Sequence, residues 1–213
     1  MLISQQHYLV GYGSLLSHDS RSRYSNIFCD NMPILAHGWQ REWLARGIKD
    51  LQTCLGVSRV ESAHLNAVLL PIEQISLELR TREQDYEFVE VDPTTIVPAK
   101  KSTALENELF KIRSNPDKCK IWICVNLHKK QASTDYPIYQ SYLDTCLVGC
   151  FDMDIDNFAT EFIRNTYFWK HGWVNDRGHW GYPRAAKVTK QQQLKIDLLL
   201  EQLQLLKYRR EQI

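Results

Sequence analysis

His7-Tyr8-Leu9-Val10-Gly11-Tyr12-Gly13-Ser14-Leu15-Leu16-Ser17 is the stretch from which the rest of the chain is read. Tyr8 to Val10 is a short apolar run containing a β-branched residue, the pattern of a buried strand. Gly11 and Gly13 then break the strand into a loop whose backbone can approach a ligand closely. Consecutive amides in such a loop point the same way and form a nest for an anion or a developing oxyanion. No Gly-Lys-Ser/Thr ending is present, so this is not a Walker loop, and without a third glycine it is not a dinucleotide fingerprint. A plain glycine hairpin, with Ser17 and Asp19 capping the next element, is the competing reading.

About seventy residues further on lies Leu79-Arg80-Thr81-Arg82-Glu83-Gln84-Asp85-Tyr86-Glu87-Phe88-Val89-Glu90-Val91. Ile75 to Gln84 suits a short helix, and Tyr86 to Val91 alternates as a strand does. A Tyr-Gly-Ser-Leu loop after the first strand, followed by Arg-Glu-x-x-Tyr running into another, resembles the gamma-glutamylcyclotransferase-like family. The resemblance implies an α+β fold, a mixed, partly closed β-barrel with flanking helices. It implies release of 5-oxoproline from a small gamma-glutamyl amide, whose own α-amine attacks its γ-carbonyl. By the same resemblance Glu83 is the general acid/base, and the loop of Tyr12, Gly13, Ser14 and Leu15 binds substrate. Tyr86 and Tyr142 read as core aromatics whose hydroxyls line the pocket or orient Glu83, the core role being the better reading for Tyr142. No metal, cofactor or covalent intermediate is required. The alternatives are a surface Glu83 paired with Arg80 or Arg82, and a non-catalytic module of this fold for a small anionic metabolite or peptide end. Two departures bear on substrate identity. Arg80 stands where the family usually carries an aspartate, and Asn66-Ala67 stands where a glycine is common.

The remaining elements are read from pattern. Ile34 to Arg46 reads as a strand carrying Trp39 and Trp43; Thr53 to Val60 and Ala63 to Ile72 read as two more. Pro98 to Lys118 reads as an exposed excursion with a helix over Ala104 to Ile112. Ile121 to Val125 is a strand without a breaker. Tyr139, Tyr142, Leu143, Cys146 and Leu147 share a helical face, and Gly149 fits just past that helix's end. Asp152, Asp154 and Asp156 alternate, but Asn157 and Ile163 stand where a calcium loop needs glycine and glutamate; Asp156 is read as a helix cap. Trp169 to Arg184 is dense in aromatics and glycine. Its His171, Asp176 and His179 could bind metal, but an aromatic loop with Asp–Arg pairing is the better reading. Thr189 caps a last helix with Ile196, Leu199, Leu203 and Leu206 as its stripe and Lys207 to Arg210 at its C-terminus. That stripe packs on the domain or, in the sharper reading, forms a homodimer seam.

Composition narrows the function classes. The 213 residues are 44% hydrophobic, and 26 basic residues against 25 acidic give a net charge of +1, so no global field recruits nucleic acid or an anionic membrane. No basic-then-apolar leader and no run of about 18 apolar residues is seen, which points to a cytoplasmic protein with a small-molecule partner. Cys29, Cys54, Cys119, Cys124, Cys146 and Cys150 form no C-x-x-C pair or zinc spacing and are expected to be reduced, mostly buried thiols. With no repeat or Gly/Ser/Pro-rich linker, the chain reads as one domain over 1–213. Its core covers about 1–150 and its C-terminal extension about 151–213.

Overall fold

The computed structural model describes residues 5–211. The opening apolar run forms β1 (Gln6–Gly11), with Tyr8, Leu9 and Val10 buried. A 3-10 turn over Ser14–Leu16 leads into α1 (His18–Ser25), where the Ser17 side chain accepts from the Ser20 amide as an N-cap. Next come β2 (Met32–Gly47) and β3 (Gln52–Ile72), paired as a long antiparallel hairpin. The two strands expected within 53–72 are therefore one. Residues 60–63 lie opposite Gly38 across a register break, and Gly38, at φ +80°, lets the ladder bend there without ending.

α2 (Leu77–Arg82) is N-capped by Ser76 and ends at Glu83, and β4 (Tyr86–Glu90) comes directly after it. β5 (Ile96–Pro98) precedes α3 (Thr103–Ser114). That helix is less solvated than its charges suggest, because Leu105, Leu109 and Ile112 are buried at helical spacing. The chain continues through β6 (Cys119–Asn126), β7 (Ile138–Tyr139), α4 (Gln140–Phe151), α5 (Phe158–Arg164) and β8 (Thr166–Tyr167). It closes with β9 (Trp173–Asn175), α6 (Lys190–Gln202) and β10 (Arg209–Glu211).

The main sheet runs β4-β6-β1-β3-β2-β5, with β8 beside β2; a second, three-stranded sheet runs β10-β9-β7. β1 pairs antiparallel with β3 and parallel with β6. The architecture is mixed α+β, as expected, but the main sheet is an open path. Among the described residues no pairing joins β4 to β5 to close a barrel. Residues beyond 150 take part in the layers, since β8 pairs with β2 and β9 with β7. No helix among the described residues is long and apolar enough to cross a membrane.

Three local expectations are corrected. The fifth helix starts from Asn157, in the left-handed region at φ +61° and without a side-chain cap, so Asp156 is not the cap. The last helix has the Thr189 cap, completed as a capping box with Gln192, but it ends at Gln202. The chain reverses at Gln204 (φ +57°) and returns as β10, so Lys207 to Arg210 lie beyond the helix. Ile196 and Leu200 are its buried residues, Leu199, Leu203 and Leu206 of the stripe pack half-buried against the core, and Leu194 and Leu198 stay exposed.

Gly149 lies inside α4, not past its end, and packing is the reason. Every residue from Gln140 to Cys150 is buried. A Cβ on Gly149 would stand 2.4 Å from the Leu16 carbonyl carbon and 2.5 Å from the Ser17 nitrogen. The helix therefore rests backbone to backbone on the turn that comes after Gly13. Replacing a helical glycine by alanine ordinarily gains roughly 0.5–1 kcal/mol. For Gly149→Ala the opposite sign is expected: a lower urea midpoint, because α4 must lift from the turn.

Candidate functional site

Tyr12, Gly13, Ser14, Leu15, Glu83, Tyr86 and Tyr142 line one cleft, together with Val10, Leu55 and Cys124. The cleft holds about 280 Å³ of empty space, its open mouth included. All seven residues singled out from the sequence thus meet in one place. The first amide bonded within the 3-10 turn is that of Leu16, which donates to the Gly13 carbonyl at 2.9 Å. The amides of Gly13, Ser14 and Leu15 precede it, and the opening amides of a helical turn lack partners within it. Gly13 also permits a close approach, since a Cβ there would sit 2.7 Å from the Tyr142 hydroxyl.

Arg41 fixes the loop from below. It is fully buried, and its guanidinium donates to Thr166 Oγ1 (2.8 Å), the Tyr12 carbonyl (3.1 Å), the Asn66 carbonyl (2.9 Å), Asn66 Oδ1 (2.8 Å) and the Phe162 carbonyl (3.0 Å). It also stacks on the Phe162 ring at 3.8 Å. Asn66, one of the two departures from the family pattern, passes its own amide on to the Phe158 carbonyl at 2.7 Å. The other departure, Arg80, is exposed and sits over Phe88, outside the cleft lining.

Arg82 ties the two motifs together. Its Nη2 donates to Ser14 Oγ (2.9 Å) and Ser20 Oγ (3.2 Å), and its Nη1 to Ser25 Oγ (3.0 Å) and the Ser20 carbonyl (3.2 Å). Ser14 Oγ accepts a second bond, from the Tyr182 hydroxyl at 2.8 Å. The Nε of Arg82 lies 3.3 Å from Glu83 Oε1 but is not aligned for a hydrogen bond. Glu83 is therefore paired with Arg82, as in the surface reading, yet it is not on the surface: its side chain is 11% exposed. Burial pushes its carboxyl above the usual carboxylate range; Arg82 and then Arg184 pull it back part of the way, and Asp85 adds to the rise.

The tyrosines are held by backbone. Tyr86 donates to the Leu55 carbonyl at 2.7 Å, Tyr12 donates to the Cys124 carbonyl at 2.5 Å, and Tyr142 accepts from the Leu55 amide at 3.4 Å. Tyr142 packs edge-on against Trp43 and Tyr182. Cys54 and Cys124 are buried free thiols near this centre. Burial pushes Cys54 up to about 12 and raises Cys124 well beyond the thiol range, so neither is poised as a thiolate. Asp176, a candidate metal ligand on sequence, is buried and accepts from the Ser141 amide and hydroxyl and the Gly181 amide. His171 and His179 are exposed, and no group of three ligand-type side chains gathers among the described residues.

The sequence pattern does not single out Arg41, Tyr182 or Arg184 as parts of this site. Tyr182 and Arg184 lie in the Tyr-Pro-Arg run of the aromatic segment, the one signal that points towards them. Nothing in the local pattern marks Arg41 as buried.

No protein-family profile matches the chain, and no curated protein sequence does. Solved structures do. A gamma-glutamyl cyclotransferase aligns over 92% of this chain and 99% of its own, with a TM-score of 0.53 at 10% identity. An uncharacterized human protein aligns over 91% of this chain and 99% of its own, with a TM-score of 0.52 at 9% identity. YkqA from Bacillus subtilis aligns over 75% of this chain and 53% of its own, with a TM-score of 0.50 at 15% identity. The chain has a gamma-glutamylcyclotransferase-like fold, and the likeness is one of backbone architecture.

The raised carboxyl of Glu83 sets a sign for stability. A carboxyl held above its unfolded value contributes stability in full below that value and loses it as pH rises through the folded one. Above the ordinary carboxylate range Glu83 is therefore destabilising relative to an uncharged side chain of the same shape. Glu83→Gln is expected to raise Tm at pH 7, and the difference should close in acid, below about pH 4. A variant less stable than the parent at pH 7 would contradict the desolvated state assigned to this carboxyl.

Proposed function

We propose that the protein is a cyclotransferase that releases 5-oxoproline from a small gamma-glutamyl amide. The observation that carries this reading is the buried Glu83 carboxyl sharing a cleft with the Tyr12–Leu15 loop. The reaction needs little from the protein, because the nucleophile is part of the substrate. A site that folds the gamma-glutamyl chain brings its α-nitrogen onto its γ-carbonyl carbon as a near-attack conformer. Glu83 takes a proton from the α-ammonium, and the nitrogen attacks. The γ-carbonyl oxygen becomes an oxyanion, or the α-carboxylate docks, at the amides of Gly13, Ser14 and Leu15. Collapse of the tetrahedral species breaks the bond to the leaving nitrogen, which receives a proton from Glu83. The second proton of the attacking nitrogen passes to the departing amine, so the products are 5-oxoproline and an ammonium, with Glu83 returned to its starting form. A carboxyl raised by burial suits both transfers better than one at the usual value, since its affinity for the proton is closer to working pH.

A second reading is favoured by one observation, the contact of Glu83 with Arg82. A glutamate committed to that ion pair would leave a binding module for an anionic metabolite. Product formation separates the two. 5-Oxoproline should appear from at least one member of a panel of gamma-glutamyl compounds, and Glu83→Gln should lower kcat/KM by roughly 10²–10⁴-fold. Stabilisation by glutamate or 5-oxoproline, with no product from any compound, would establish the binding module instead.

The pH profile reports the base. In the parent protein kcat/KM should climb as Glu83 ionises, above the ordinary carboxylate range, and climb again as the substrate ammonium deprotonates. In Glu83→Gln the lower limb should be absent while the upper one persists at a low rate.

A further inference from the structure

Three arginines stand in or beside the site, and they differ in how far their donors are used. Arg41 directs all five N–H groups at acceptors. Arg82 makes four hydrogen bonds through its terminal nitrogens. Arg184 makes one long side-chain hydrogen bond, to Asp50 Oδ2 at 3.5 Å, and its buried Nε has no partner. Its main chain is nonetheless fastened, because its carbonyl accepts from Ser20 Oγ at 2.8 Å. The guanidinium is 5.2 Å from the centre of the Tyr182 ring, and the side chain is 22% exposed.

Placement says what the spare donors can meet. Arg184 is not among the residues lining the depth of the cleft. Its neighbour Tyr182 reaches Ser14 of the cleft loop through its hydroxyl, and its contact Asp50 lies on the turn between β2 and β3. Arg184 therefore stands at the rim of the cleft, partly open to solvent. A gamma-glutamyl group folded onto the Tyr12–Leu15 amides occupies the depth, so the leaving amine points to this rim. A guanidinium with free, coplanar donors is built to receive a carboxylate in a two-pronged grip.

Resting on the cyclotransferase reading, we propose that Arg184 determines specificity by receiving a carboxylate on the leaving amine. The preferred substrates are then gamma-glutamyl α-amino acids over gamma-glutamyl amines. The loose contact with Asp50 holds the guanidinium in place and is exchanged for the substrate's carboxylate. Asp50 and Asp85 are the carboxylates at the same rim, and His128 acts on Asp85. Without Arg184 that rim would repel an anionic leaving group.

Gamma-glutamyl-alanine and gamma-glutamyl-ethylamine differ by that carboxylate alone and form the test pair. Affinity is read by calorimetry in the Glu83→Gln background, where turnover is suppressed, and kcat/KM in the parent. The alanine compound should be preferred roughly tenfold or more, the range for a hydrogen-bonded charge. Arg184→Met should collapse the ratio towards one, and Arg184→Lys should keep part of it. Equal weakening of both compounds in Arg184→Met, or no preference in the parent, overturns the assignment. A carboxylate preference in binding without 5-oxoproline from the parent would leave Arg184 standing and sink the cyclotransferase reading. 5-Oxoproline from both compounds without preference would do the reverse. Binding of neither compound overturns both.

Discussion

Arg41 is the point on which the loop, the sheet and two later elements converge. A guanidinium withdrawn from water with no carboxylate beside it is unfavourable unless every donor finds an acceptor. Here each of the five does, on four different parts of the chain: the Tyr12 carbonyl, Asn66 of β3, Phe162 of α5 and Thr166 of β8. Burial draws the group down to about 10, which still leaves it charged at neutral pH. The arrangement permits little slack, because moving any acceptor strands a buried cation. Holding the carbonyl of Tyr12 also fixes the plane of the peptide that begins with Gly13. The direction of the next amides is thus set from beneath the sheet and not by the loop itself.

Above the loop, Arg82 and Glu83 divide a conflict. As consecutive residues at the end of α2 they share one local position, yet they face different partners. Arg82 directs its terminal nitrogens at Ser14, Ser20 and Ser25 and offers Glu83 a poorly aligned Nε. A well-aligned pair would hold Glu83 firmly ionised, as salt-bridged carboxylates are. Because the serines claim the better donors, desolvation wins and the carboxyl stays raised. The serine cluster around α1 thus acts on the Glu83 carboxyl through Arg82.

How much of this is legible in the sequence depends on range. The strand of Tyr8 to Val10, the helix ending at Glu83 and the strand from Tyr86 come from local periodicity; six of the seven lining residues come from the two paired motifs, and Tyr142 from a later helix. The features that pattern does not reach are long-range. Arg41 reads as one more basic residue in a Trp-rich strand; only its acceptors, 25 to 125 residues away in sequence, make it a core group. Tyr182 meets Ser14 across 168 residues. Gly149 reads as a helix stop because glycine usually marks one, and the packing of α4 against Leu16 and Ser17 reverses that inference. The open edge between β4 and β5 is a property of pairing, on which composition is silent.

The hydrogen bond from Tyr182 to Ser14 has a consequence for how the protein is made. The loop leaves the ribosome well ahead of the hydroxyl that seats Ser14, which follows 168 residues later. β1 likewise waits for β6, its parallel neighbour, more than a hundred residues behind it. Domains commonly fold as they are translated, N-terminal parts first, yet here β1 lies inside the sheet, between β3 and the much later β6. The nascent chain can therefore cover one edge of Tyr8-Leu9-Val10 with β3, while the other edge stays open until β6 is made. That interval is when association with other chains, or custody by a chaperone, competes with completion of the cleft.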